Sequence, residues 1–69
     1  MPERLANRLK ERRAELGFTQ AELAERVGVT RKTVNTVENG VFVPSTILAL
    51  KLAKALDMSV EELFSISSD

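Results

Sequence analysis

Residues 27–40 read VGVTRKTVNTVENG, followed at once by Val41-Phe42-Val43, and this stretch admits two incompatible backbones. Asn39-Gly40 between apolar-rich runs is the strongest short-range signal for a β-hairpin, and valine and threonine are strand formers. Against that, Val34 and Val37 lie three apart, Thr30 is a good N-cap, and Gly40 can equally stop a helix. A ribbon would send Val34 and Val37 to opposite faces, because strand side chains alternate with period two, and one valine would be left in solvent. A helix turning about 100° per residue gathers Thr30, Val34 and Val37 on one side. Lys32, Asn35, Thr36 and Asn39 then point the other way, with Arg31 flanking them.

The flanking segments favour the helix, because five helical segments can be marked from their punctuation. The first is expected from about Pro2 to Leu16, with Leu5, Leu9 and Leu16 on one stripe and Gly17 as its stop. Thr19-Gln20-Ala21-Glu22 is a capping box that opens a second helix ending at Val27-Gly28. Thr30 caps the third helix after only a few residues of turn. Pro44-Ser45 opens a fourth, about residues 46–56, and Ser59-Val60-Glu61-Glu62 is a second capping box for a short fifth helix through about Phe64. Residues 66–69 read as a frayed tail. A lone two-stranded ribbon inside this chain is disfavoured, so burial of the two valines overrides their weak helix propensity. The fold class is all-α: one domain over residues 1–69, with its core in about 3–64.

Sixty-nine residues and 7.6 kDa leave no room for a second domain. The absence of cysteine excludes disulfides and thiolate metal sites, and the absence of histidine removes the usual neutral-pH proton carrier and the commonest metal ligand. No nucleophile-base constellation stands out, so neither an enzyme nor a cofactor or metal site is expected. The N-terminus lacks an apolar leader segment, and the longest apolar run, residues 47–50, is far too short to span a bilayer. A soluble, cytoplasmic protein is expected. Ten basic and ten acidic residues cancel, yet Arg4, Arg8, Lys10, Arg12 and Arg13 crowd the start while residues 57–69 carry acids and no base. A positive face is compatible with this neutral sum.

Leu23, Val27, Val29, Val34 and Val37 can form a shared core for two helices joined at Gly28, with Ala24 small where they cross. The stretch QAELAERVGVTRKTVNTVENG resembles the helix-turn-helix of the lambda-repressor and Cro-like (XRE-type) transcription regulators. The resemblance extends over about residues 5–64, including LKERRAELGFTQAELAERVGV before the turn and PS, LALKLAKALDMSVEELF after it. It implies a compact five-helix, lambda-repressor-like DNA-binding domain whose third helix enters the major groove of double-stranded DNA. On that likeness Arg31, Lys32, Asn35 and Thr36 are expected to contact bases, Arg31 having the fork suited to guanine O6 and N7. Thr19, Gln20, Thr33 and Asn39 are expected at phosphates, Gln20 through the start of the second helix. Thr19 also caps, Asn39 can equally serve as a helix-end residue, and Asn35 and Thr33 can serve either bases or phosphates.

Arg13 continues the Leu5, Leu9 stripe and Glu38 follows Val34 by four, so two charges encroach on two apolar faces. Partly buried charges need partners, and a structural Arg13–Glu38 ion pair is expected to orient the recognition helix. Where similar regulators often place a phosphate-gripping cation after Gly40, this chain has Val41-Phe42-Val43, with Phe42 and Pro44 expected over the core. Ile47 takes a position where a polar residue is usual. Ile47, Phe64 and Ile66 are surplus apolar residues and mark an expected two-fold dimer interface, which implies a palindromic operator and a repressor. No small-molecule effector is expected. The alternative reading is an antitoxin-like or adaptor module that uses the same scaffold to hold a protein.

Overall fold

The structure, a computed structural model, describes residues 3–68. In chain order the elements are β1 (Arg4–Asn7), α1 (Leu9–Leu16), α2 (Gln20–Val27), α3 (Arg31–Glu38), α4 (Thr46–Ala55), α5 (Val60–Leu63) and β2 (Phe64–Ser67).

The five expected helices are present, and the Asn39-Gly40 question is settled at the backbone. Thr30 accepts the Thr33 amide at the start of α3. At its end Gly40, with φ of 73°, lets its own N–H donate to the Val37 carbonyl at 3.1 Å and the Val41 N–H donate to the Thr36 carbonyl at 2.9 Å. That pair of bonds is a Schellman stop, and the positive φ is why glycine stands there. Val34 and Val37 are buried with Leu9, Leu23, Ala24, Val27, Leu52, Ala53, Leu56, Leu63 and Phe64 in a single core.

The chain ends correct the sequence reading. Residues 4–7 are not the first turns of a helix but β1, which pairs antiparallel with β2 in the register Arg4↔Ser67, Leu5↔Ile66, Ala6↔Ser65, Asn7↔Phe64. The expected start at Pro2 lies outside the described residues. Asn7 is the physical reason for the break: its Oδ1 accepts the Leu9 N–H at 3.0 Å, doing at the mouth of α1 what a capping residue does. The Arg8 N–H donates to the Leu63 carbonyl at 2.9 Å and closes the two chain ends on each other.

Four further expectations change with it. Phe64 leaves the helical region (φ −120°, ψ 146°) and is buried, only 7% exposed, so it belongs to the core rather than to a free interface. Ile66 is paired in a strand, not frayed, although its side chain is 71% exposed; Asp69 lies outside the described residues. Leu16, at the last position of α1, is 38% exposed although it lies seven residues after buried Leu9. Phe42 is exposed as well, and of the pair expected over the core only Pro44 is half-buried.

Candidate nucleic-acid interface

The helix pair α2–α3 is held by apolar contacts on one side and presents polar side chains on the other. Leu23, Ala24 and Val27 bury against Val34 and Val37, with Val29 in the turn packed on the same core. Gly28 takes φ of 75°, which lets the Val29 N–H donate to the Ala24 carbonyl at 3.0 Å and the chain reverse at once into Thr30. Thr19 and Glu22 form the full capping box: the Glu22 N–H donates to Thr19 Oγ1 at 3.0 Å and the Thr19 N–H to Glu22 Oε1 at 2.9 Å. Those bonds, the backbone one first, hold the Glu22 carboxyl below its ordinary pKa.

Gln20, Arg31, Lys32 and Asn35 come together around one open depression of about 370 Å³. Arg31, Lys32 and Asn35 are exposed, and they lie in the first turns of α3. Thr36 differs: it is half-buried and its Oγ1 donates back to the Thr33 carbonyl at 3.0 Å, so its hydroxyl is engaged with the helix backbone. Thr33 is half-buried too, its Oγ1 3.0 Å from Thr30 Oγ1. Asn39 is exposed and donates from Nδ2 to Asn35 Oδ1 at 3.3 Å, which ties the far end of the polar face to its middle.

Behind this face sits the ion pair. Arg13 Nε donates to Glu38 Oε2 at 2.8 Å and Arg13 Nη2 to Glu38 Oε1 at 3.3 Å, with the two side chains 15% and 4% exposed. The remaining Arg13 nitrogen, Nη1, donates to the Phe18 carbonyl at 2.9 Å. Gln20 Nε2 is a third donor to Glu38, reaching Oε1 at 3.1 Å, and Gln20 Oε1 accepts from Arg31 Nε at 3.5 Å. Arg13 and Glu38 therefore meet between α1 and α3; of the residues that point to them, Leu9 and Val34 share their helices, whereas Leu5 lies in β1. Among the described residues no buried side-chain polar atom lacks a hydrogen-bond partner, which is the condition under which such a pair is stable.

Two supporting residues escaped the sequence reading. Asn7 Nδ2 donates at 3.0 Å to the Val37 carbonyl, which also accepts the Gly40 N–H, and so braces the C-terminal end of α3. Arg12 Nε does the same for the Leu56 carbonyl at the end of α4, at 2.8 Å. An asparagine two residues before an apolar helical position is a capping signal, and it was present at Asn7; nothing local marks Arg12. No helix among the described residues is long and apolar enough to cross a membrane.

Comparison with known proteins agrees with this arrangement. A family profile described as Helix-turn-helix matches residues 9–63. An uncharacterized HTH-type transcriptional regulator of Bacillus subtilis, YgzD, is 46% identical over 65 residues, covering 94% of this chain and 98% of its own. Among solved structures, the restriction-modification controller protein C.AhdI from Aeromonas hydrophila is 44% identical with a TM-score of 0.78, over 83% of this chain and 86% of that one. The biofilm master regulator SinR of Bacillus subtilis, solved in complex with DNA, is 35% identical with a TM-score of 0.71, over 77% of this chain and 86% of that one. With its helix pair, its turn and its matched length, the chain belongs to the helix-turn-helix family of DNA-binding transcriptional regulators of the lambda-repressor and Cro-like type.

Proposed function

We propose that this protein is an operator-binding repressor that acts as a two-fold dimer, with α3 in the major groove of each half-site. The observation that carries the reading is the convergence of Arg31, Lys32 and Asn35 on one exposed depression at the start of α3. These side chains reach base edges, Arg31 with the fork that suits guanine; Thr36, its hydroxyl turned back on the helix, offers its methyl group to a thymine. Thr19, Thr33 and Asn39 lie at the margins and serve phosphates. The Arg13–Glu38 pair, tying α1 to the end of α3, sets the angle of the reading helix. The DNA complex of SinR is support by likeness.

Exposed Ile47 and Ile66, 67% and 71% accessible, are the residues that a second copy would cover. Two reading helices about 34 Å apart would then match one turn of DNA and a palindromic site. Selection of bound sequences from a random duplex pool at about 0.15 M salt tests this, and recovery of a palindrome with half-sites one turn apart is the expected result. A protein that enriches no sequence while binding all duplexes weakly is not an operator-binding repressor, and the search then moves to a protein partner on the Ile47 and Ile66 surface.

A further inference from the structure

The Asn39-Gly40 pair carries a chemistry of its own. An asparagine side chain loses ammonia when the next backbone nitrogen attacks its Cγ, and a following glycine, with no Cβ, puts least in the way. The chain has three asparagines. Asn7 precedes Arg8 and is held by bonds to the Leu9 amide and the Val37 carbonyl, and Asn35 precedes β-branched Thr36 in the middle of α3. Asn39 alone precedes a glycine, is exposed, and has open space beside that glycine. The intact turn opposes the reaction: the Gly40 N–H is committed to the Val37 carbonyl at 3.1 Å, and Asn39, at ψ of 4°, keeps that nitrogen rotated away from its own side chain. Only the exposed end of α3 has to open to release it, which is a small local event rather than global unfolding.

We infer that Asn39 is a site of spontaneous deamidation, reached when the Schellman stop of α3 opens, and that its conversion lowers DNA binding. In the opened turn the Gly40 nitrogen gives up its proton to solvent and bonds to Asn39 Cγ; the Cγ–Nδ2 bond breaks, and Nδ2 takes up a proton and leaves as ammonia. Water then opens the resulting succinimide at either carbonyl. One opening gives aspartate and the other gives isoaspartate, with the backbone rerouted through Cβ; nothing is oxidised or reduced. Either product sets a carboxylate at the negative end of the α3 dipole, next in sequence to Glu38 and at a residue read as a phosphate contact. Isoaspartate also lengthens the backbone at the turn, so that the Gly40-to-Val37 and Val41-to-Thr36 bonds no longer fit together. The effect on DNA rests on the operator-binding reading; the chemistry does not.

The test ages the protein in warm, mildly alkaline buffer, folded and in urea, and maps its peptides by mass and by isoaspartate content. Conversion is expected at residue 39 and not at residues 7 or 35, and about tenfold or more slower in the folded protein than in urea, because only the opened turn reacts. Asn39→Gln, whose ring would be one atom larger, is expected to stay intact. On the operator recovered by the wild-type protein, Asn39→Asp is expected to bind about fivefold more weakly than Asn39→Gln, which keeps an amide. No conversion at residue 39, or equal conversion at all three asparagines, overturns the inference. Equal rates in the folded and urea-unfolded protein overturn the gating by the turn, and equal binding by the two variants overturns the consequence for DNA. If the wild-type protein selects no operator, the operator reading fails on its own account, while the peptide map still decides the deamidation.

Discussion

Around the start of α3 the exposed polar side chains are tied to one another and, through Gln20, to a buried ion pair, whereas along α4 and β2 the large apolar side chains of Ile47, Leu50 and Ile66 stand in solvent. The first region is specified by directional bonds, each with one donor and one acceptor, and such bonds suit a ligand whose own donors and acceptors are fixed in space. The second is specified only by area, and area suits a broad covering partner. One small domain therefore carries two surfaces whose physics differ, and substitutions should separate them.

The largest effect is expected at the ion pair. Arg13→Ala leaves Glu38 buried with only Gln20 as a donor, and Glu38→Ala leaves Arg13 without its carboxylate. Either is expected to lower stability by about 3 kcal/mol in urea denaturation, and the double variant by less than the sum. Wild-type stability of both single variants would mean that the directional network is only surface decoration. Next comes Asn7→Ala, which removes the acceptor for the Leu9 amide and the donor to the Val37 carbonyl at once. A loss of about 1–2 kcal/mol is expected, with the β1–β2 pairing loosened in amide hydrogen exchange.

The helix-turn-helix was legible because its determinants are local. Both capping boxes, Thr19 with Glu22 and Ser59 with Glu62, span four residues each, and the Gly28 and Gly40 stops are read from single positions. The ribbon was not legible because its partners are the two ends of the chain. Arg4-Leu5-Ala6-Asn7 contains good helix formers and joins naturally to Leu9, so a helix was the cheaper local reading; only pairing with residues some sixty positions away makes it a strand. Phe64-Ser65-Ile66-Ser67 does alternate apolar and polar, a period-two signal that its brevity hid. At the site, exposure of Arg31 and Lys32 could be read from the helix wheel. The inward turn of Gln20 and Thr36 could not, because it depends on Glu38 and on a backbone carbonyl whose position only the fold supplies.

Smaller effects sharpen the contrast at its edges. Glu22 and Glu62 have folded pKa values held down chiefly by hydrogen bonds from the backbones of Thr19 and Ser59, so they are ionised more readily when folded than when unfolded. Their contribution to stability is complete above the ordinary glutamate pKa and is lost as pH falls through the lowered folded values. Replacing both with glutamine is expected to flatten that part of the acid limb of the stability–pH curve, a difference measurable by thermal unfolding across the acid range. The smallest effect on folding is expected for Ile47→Gln with Ile66→Thr, within about 0.5 kcal/mol, since both side chains are exposed. The same pair should shift sedimentation toward the monomer and weaken operator binding; an unchanged mass would assign the apolar surface to some other covering partner.

The central claim is that the start of α3 reads bases, and it is tested most directly by comparing wild type with Arg31→Ala for binding to the selected operator and to random duplex at one salt concentration. The account predicts a loss of about 1–3 kcal/mol confined to the operator, with preference relaxed at one base pair in each half-site and random-duplex binding lowered far less. Equal weakening on both duplexes would make Arg31 a phosphate contact and contradict the claim.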